Sequence, residues 1–114
     1  MKDVDFFSDT DHGPFRAWGI CDRTCGTDEI SMAIGIMPPH TEGSFHIHNE
    51  CDTALYIHSG RVIAEWHDAD GNVAQSEAAA GEFIYIKRGT SHRPLNPFNA
   101  CMAYIVSRAV GHAD

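Results

Sequence analysis

Along most of the chain, apolar and polar residues alternate over short runs, and turn-forming residues separate the runs. Alternation with a period of two is the mark of a strand with two different faces. It predicts strands over Ala17–Ile20, Ile30–Met37, Ser44–His48, Thr53–His58, Arg61–Trp66, Val73–Ala78, Glu82–Lys87 and Ala100–Ser107. Pro38-Pro39, Ser59-Gly60, Asp70-Gly71-Asn72, Gly81 and Arg88-Gly89 lie between them. The segment DADGN marks a hairpin, because Asp, Gly and Asn tolerate positive φ. The alanine-rich patch SEAAAG is too short for a stable helix and reads as a strand end and turn. RPLNPF, with two prolines, is not expected to hold a regular strand. Short antiparallel strands with little or no helix predict an all-β sandwich or barrel. No repeat or linker divides the chain. Residues 1–114 read as one domain, with an N-terminal arm over about 1–16 and a loose C-terminal tail over 109–114.

Composition narrows the class. The 114 residues are 43% hydrophobic and 21% charged, ordinary for a folded domain. Sixteen acids against eight Lys plus Arg give a net charge of -8, with no basic run. That argues against nucleic acid and anionic membrane as partners. No apolar stretch is long enough to span a bilayer. The start, MKDVDFFSDTDHG, has no apolar signal core, so a cytoplasmic protein is expected. The four cysteines are then free thiols; Cys21 and Cys25 are expected near the surface.

The chemistry concentrates in GSFHIHNECDTALYIHSG and GEFIYIKRGTSHRPLN. In a strand, His46 and His48 share a face and can reach one metal ion. His92, entering the next element after the Arg88-Gly89 turn, can complete a three-histidine set. Three neutral imidazoles suit Fe(II), Zn, Ni, Mn or Cu and leave positions open for water or substrate. His12, His40, His58, His67 and His112 read as surface or terminal histidines, and Asn96 as a residue that bonds backbone. Arg16, Arg61, Lys87, Arg88 and Arg93 are the cations nearest the expected strands. Phe83, Tyr85 and Lys87 alternate on one side of theirs, while Met102, Tyr104 and Val106 share a face.

These two segments resemble the two motifs of the cupin superfamily. The second motif is matched at Gly81, Gly89, His92 and Asn96, with Lys87 at its proline position. The first is matched at His46, His48 and Gly60, and its leading glycine falls at His40. The resemblance implies a small antiparallel β-barrel of jelly-roll topology that holds a metal inside. It also implies a homodimer, which the short chain would favour as well.

One position departs from the motif. Counting back from Gly60 places the family's glutamate at Thr53, a poor ligand for a divalent ion. Either His46, His48 and His92 form the whole set, or Asp52 joins them through a bulge. With three neutral ligands a divalent ion keeps its charge and favours a small anionic substrate. The resemblance then implies a metal-dependent oxidoreductase of dioxygenase type, with Fe(II) first and Zn, Mn or Ni as alternatives. Tyr104 is the candidate for proton donation. The competing readings are a non-redox metal-dependent isomerase, lyase or sugar-modifying cupin, and a small-molecule-binding barrel without chemistry.

Overall fold

The computed structural model describes residues 7–9 and 15–111. They form ten strands and one helical turn: β1 (Phe7–Asp9), β2 (Phe15–Ile20), α1 (Asp22–Cys25), β3 (Ser31–Met37), β4 (Thr41–Glu42), β5 (Thr53–Ser59), β6 (Arg61–His67), β7 (Val73–Ala79), β8 (Phe83–Ile86), β9 (His92–Asn96) and β10 (Met102–Arg108). One antiparallel sheet has the order β1-β2-β3-β10-β5-β8, the other β4-β9-β6-β7. The expected all-β architecture is what the chain adopts. No helix among the described residues is long and apolar enough to cross a membrane.

The core lies between the sheets. Trp18, Ala33, Ile57 and Val106 come from the six-stranded sheet, and Val62 and Ala78 from the other. Register explains the layout. Across five strands of the larger sheet, Trp18, Ala33, Val106, Leu55 and Ile84 lie in one inward row. Beside it run Arg16, Gly35, Tyr104 and Ile57, and on the other side Ser31, Arg108, Thr53 and Ile86. Gly35 is where it is because of Tyr104: a Cβ there would meet the phenol carbon Cζ at 2.1 Å.

The outward rows are apolar too. Ala17, Ile34, Ile105, Tyr56 and Phe83 line up across the same five strands. Met32 (44% exposed), Ile34 (51%), Ile36 (41%) and Phe83 (79%) leave this face open.

Two expectations about regular strands fail for one shared reason. β9 does form across HRPLN, pairing Arg93 with Glu65 and Leu95 with Ile63 on β6. Pro94 turns its nitrogen the other way, toward the segment that follows β4. Pro94 has no N–H to give that segment, so only its carbonyl takes part, accepting from Gly43 N at 2.9 Å. The predicted strand Ser44–His48 is therefore absent; a single bridge pairs His46 with His92.

The ends also differ from expectation. Arg16 belongs to β2, and Phe7–Asp9 pair with it as β1. Gly111 is hydrogen-bonded on both sides, donating to Asp28 O (3.1 Å) and accepting from Asp22 N (2.6 Å); residues 112–114 lie outside the described ones. The cysteines are free; Cys25 is exposed as expected, but Cys21 is buried rather than superficial, and Cys51 is buried too. Cys21 caps α1, its N–H donating to Thr24 Oγ1 at 2.9 Å, with its side chain in the core.

Candidate metal centre

Chain geometry brings three histidines together from two segments. His46 and His92 exchange both backbone hydrogen bonds, at 3.0 Å each, which sets them directly opposite one another. Their rings lie 4.3 Å apart. His48 follows two residues later on the same side, and its carbonyl accepts from Gly89 N at 2.8 Å. Gly89 has φ +81°, a conformation that turns the chain back in time for His92. Phe45 projects oppositely, against His67 and under the guanidinium of Arg93. That packing anchors the segment without a ladder. One nitrogen of each of His46, His48 and His92 lies within 4.8 Å of the others.

The protonation pattern suits a metal. His46 Nδ1 faces Ser44 O at 2.9 Å, and His92 Nδ1 faces Thr90 O at 2.8 Å. A carbonyl only accepts, so each Nδ1 carries its proton, and in the neutral ring that leaves the lone pair on Nε2. His48 Nε2 lies 3.3 Å from Arg108 Nη2, and a guanidinium only donates. Its Nε2 is therefore also the lone-pair atom. Burial holds His92 below the usual imidazole range; the Thr90 carbonyl opposes this, while His46, Arg108 and Arg16 reinforce it. His92 is buried, His48 half-buried and His46 exposed, so the cluster runs from the interior out to the surface. Three neutral imidazoles with converging lone pairs fit a divalent transition metal.

Asp52 is not part of the group. In an extended chain, neighbours project to opposite sides, and Thr53 takes the inward one. Asp52 points out, where its carboxylate accepts from Arg88 N (2.9 Å) and Tyr85 OH (2.8 Å). Those two bonds, the Arg88 amide first, hold its carboxyl below the usual range. No bulge carries it inward.

A cavity of about 510 Å³ opens beside the cluster. His46, His92, Thr53, Tyr104, Arg16 and Arg108 contribute to its wall. Tyr104 is buried, and its oxygen accepts from Arg16 Nε at 3.0 Å. Arg108 is absent from the cations the sequence singled out. It is 3% exposed, packs over the Trp18 ring, and donates from Nε to Thr53 Oγ1 at 3.3 Å. The signal was present: Met102, Tyr104, Val106 and Arg108 share one parity, and the strand runs one residue beyond its expected end. Arg93 turns away from the histidines to Glu65 at 2.8 Å, Arg88 meets Asp52, and Asn96 bonds the backbone of Met37, Pro38 and Ala100. His58 is exposed on the outer face.

The first motif's leading glycine falls at His40, the one non-glycine residue with positive φ (55°) among the described residues. Histidine can adopt that conformation, so the turn survives without the glycine.

Known proteins agree with this geometry at the level of fold. The chain superposes on oxalate decarboxylase from Bacillus subtilis with TM-score 0.81 and 16% identity, over 95% of this chain and 29% of that one. A formate complex of the Lactobacillus farciminis oxalate decarboxylase gives 0.80 and 13%, over 96% and 32%. Peruvianin-I, described as a cysteine peptidase from Thevetia peruviana latex, gives 0.67 and 11%, over 75% and 53%. The chain thus spans about a third or less of the length of the two decarboxylases. No curated protein matches it in sequence. Residues 33–107 match the model of the cupin domain, including all three histidines. With both motif segments folded around one histidine cluster between two antiparallel sheets, the chain belongs to the cupin family.

Proposed function

We propose that His46, His48 and His92 hold one divalent metal, and that the protein is a non-redox cupin enzyme of the lyase class acting on a small organic acid. The observation that carries this reading is the placement of the three-imidazole cluster beside a cavity that also receives Arg16 and Arg108. The cations supply an anion site, and the bound metal supplies a Lewis acid. The oxidoreductase reading expected from the sequence gives way to its non-redox alternative. Support comes from the decarboxylases that share the fold, one of them described with Mn(II) centres. Loss of carbon dioxide from an acid leaves an electron pair on carbon, which must take a proton. Tyr104 is the proposed donor. Arg16 donates to its oxygen, so the phenolic proton is directed elsewhere, and the ring lies in the cavity wall.

The test begins with elemental analysis of protein purified without a metal-binding tag, beside His46→Ala and His92→Ala. Near-stoichiometric metal, lost in both variants, is expected. Metal-loaded protein should then consume a small carboxylic acid without net oxygen uptake. Oxygen consumed in proportion to substrate would return the dioxygenase reading; no metal binding would sink both.

We also propose a homodimer through the outer face of the six-stranded sheet. That face offers a flat footprint of roughly 20 by 20 Å, which with side-chain relief approaches the ~800 Å² per partner of a stable interface. Two copies of net charge -8 repel, and this face, with no charged residue at its outward strand positions, is where they can meet. The free cysteines suit a reducing compartment, in keeping with the cytoplasm.

A further inference from the structure

We propose that the substrate is a carboxylic acid with an apolar body, a phenyl ring or a hydrocarbon chain of several carbons, and that Ala64 and Ser76 set the size of that body. The inference rests on the metal-site reading above and deepens it: the carboxylate goes to the metal, and the body goes to the apolar part of the same cavity.

Three observations converge. The first is volume. A two-carbon acid displaces about two or three waters, roughly 60–90 Å³. The cavity beside the histidines holds about 510 Å³. Space of that size takes a whole organic molecule rather than a carboxylate alone. The second is the wall. Leu55 and Ile84 lie directly opposite one another on the inward row of the six-stranded sheet and pack against the core, yet both are only partly buried. Both line the cavity. Apolar side chains that point between two sheets and still keep accessible surface can gain by covering it with an apolar ligand.

The third is position. On the facing sheet, Ala74, Trp66, His92 and His46 lie in one row. The next row on the same face holds Ser76, Ala64 and Pro94. Two residues along a strand span roughly 7 Å, within reach of a body attached to a carboxylate on the metal. Alanine and serine keep this row low, where a larger side chain would take up the cavity. Ser76 is exposed, although Ala78, two residues on and of the same parity, belongs to the core. The sheet ends explain this. β7 and β8 are the last strands of their sheets and do not pair with each other. The turn between them is pinned, Gly81 N donating to Ile57 O (2.8 Å) and Ala80 N to Gly60 O (3.1 Å). The gap between the sheets is closed at that turn and open at Ser76, which gives a body of several carbons a way in.

The experiment is calorimetric titration of Mn(II)-loaded protein with acetate, hexanoate, 3-phenylpropanoate and the alcohol 3-phenylpropanol, with metal content measured on each sample. Each methylene that is fully buried should tighten binding about 4-fold, so the two longer acids should bind at least about 30-fold more tightly than acetate. Ser76→Phe should keep its metal, bind acetate within about 2-fold of wild type, and lose about 10-fold or more for the longer acids. Ala64→Leu, on the neighbouring strand, should act in the same way and serves if the phenylalanine variant does not fold. Equal affinity for all three acids overturns the proposal. So does a folded, metal-loaded Ser76→Phe protein that binds 3-phenylpropanoate as wild type does, or that weakens acetate by the same factor. Wild type that holds no metal, yet binds 3-phenylpropanoate and 3-phenylpropanol alike and loses both on Ser76→Phe, would overturn the metal reading and leave the apolar pocket standing.

Discussion

The two faces of the six-stranded sheet come from alternate residues of the same strands, yet they do opposite things. The inner face carries Arg16, Tyr104, Thr53 and Arg108 within an apolar surround, Arg16 bonded to Tyr104 and Arg108 to Thr53. The outer face, from β2 through β3, β10 and β5 to β8, carries no Asp, Glu, Lys or Arg at any outward strand position, although 21% of the chain is charged. An antiparallel sheet with one wet face normally alternates apolar and polar residues. Here the charged groups are on the inside and the bare apolar rows on the outside. Buried charge signals a site that needs it, and exposed apolar rows signal a partner.

The sharpest test of this contrast uses the same residue type on both faces. Ile57 is fully buried and Ile34 is half exposed. Ile57→Ala should cost about 2–5 kcal/mol in urea unfolding, as buried truncations do. Ile34→Ala should cost well under ~1 kcal/mol in dilute protein, where the monomer dominates, and more as concentration rises and the dimer forms. Equal losses at high dilution would mean that the outer face packs against its own chain.

Next in size is the interface itself. Ile34→Glu puts a charge at the centre of the outward row, where a partner would bury it unpaired. The dimer dissociation constant should rise roughly 100-fold. Sedimentation equilibrium reads this directly, and metal content should not change because the histidines lie elsewhere. A wild type that stays monomeric at about 10 times the concentration where ordinary dimers form would break the comparison on its outer side.

On the inner side, Tyr104→Phe keeps the ring that fits Gly35 and removes only the oxygen that accepts from Arg16. The stability loss should be about 1 kcal/mol. A proton donor would lose far more than that in turnover, on the order of 100-fold, with substrate affinity little changed. Activity that falls only in step with stability would reduce Tyr104 to packing.

Much of this was legible in the alternation. Inward Thr53, Leu55 and Ile57, the Met102–Tyr104–Val106 face and the hairpin at Asp70–Asn72 follow from a period of two and from turn chemistry. The histidine trio was legible from motif spacing. What escaped was set by partners far along the chain. Pro94 was read as a strand breaker, because its own sequence does not reveal which neighbour receives the missing N–H. The segment at His46 was read as a strand, because nothing local shows that Pro94 faces it. Arg108 was passed over because the last strand was ended one residue early, at Ser107. The outward rows were visible as residues, but not as one continuous surface until register aligned Ile34 with Ile105 and Tyr56.

The smallest effect tests the contrast at a single peptide, where Asp52 points out and Thr53 points in. The Asp52 carboxylate ties the Arg88 turn to the start of β5, and the Arg88 amide, then the Tyr85 hydroxyl, hold its folded pKa below the unfolded value. A carboxyl depressed in this way contributes stability above its unfolded pKa of about 3.9 and loses it as pH falls through the lower folded value. Asp52→Asn should therefore be slightly less stable than wild type at pH 6. The gap should narrow as the pH falls below about 4 and close only once it has passed the lower folded value, where both chains carry a neutral side chain at this position. Metal content at pH 6 should be the same in both, because the outward carboxylate has no place among the imidazoles. If Asp52→Asn instead lost its metal while the pH-dependent gap failed to appear, the side chain would have to reach inward in the loaded protein. The separation of the two faces at this peptide would then be wrong.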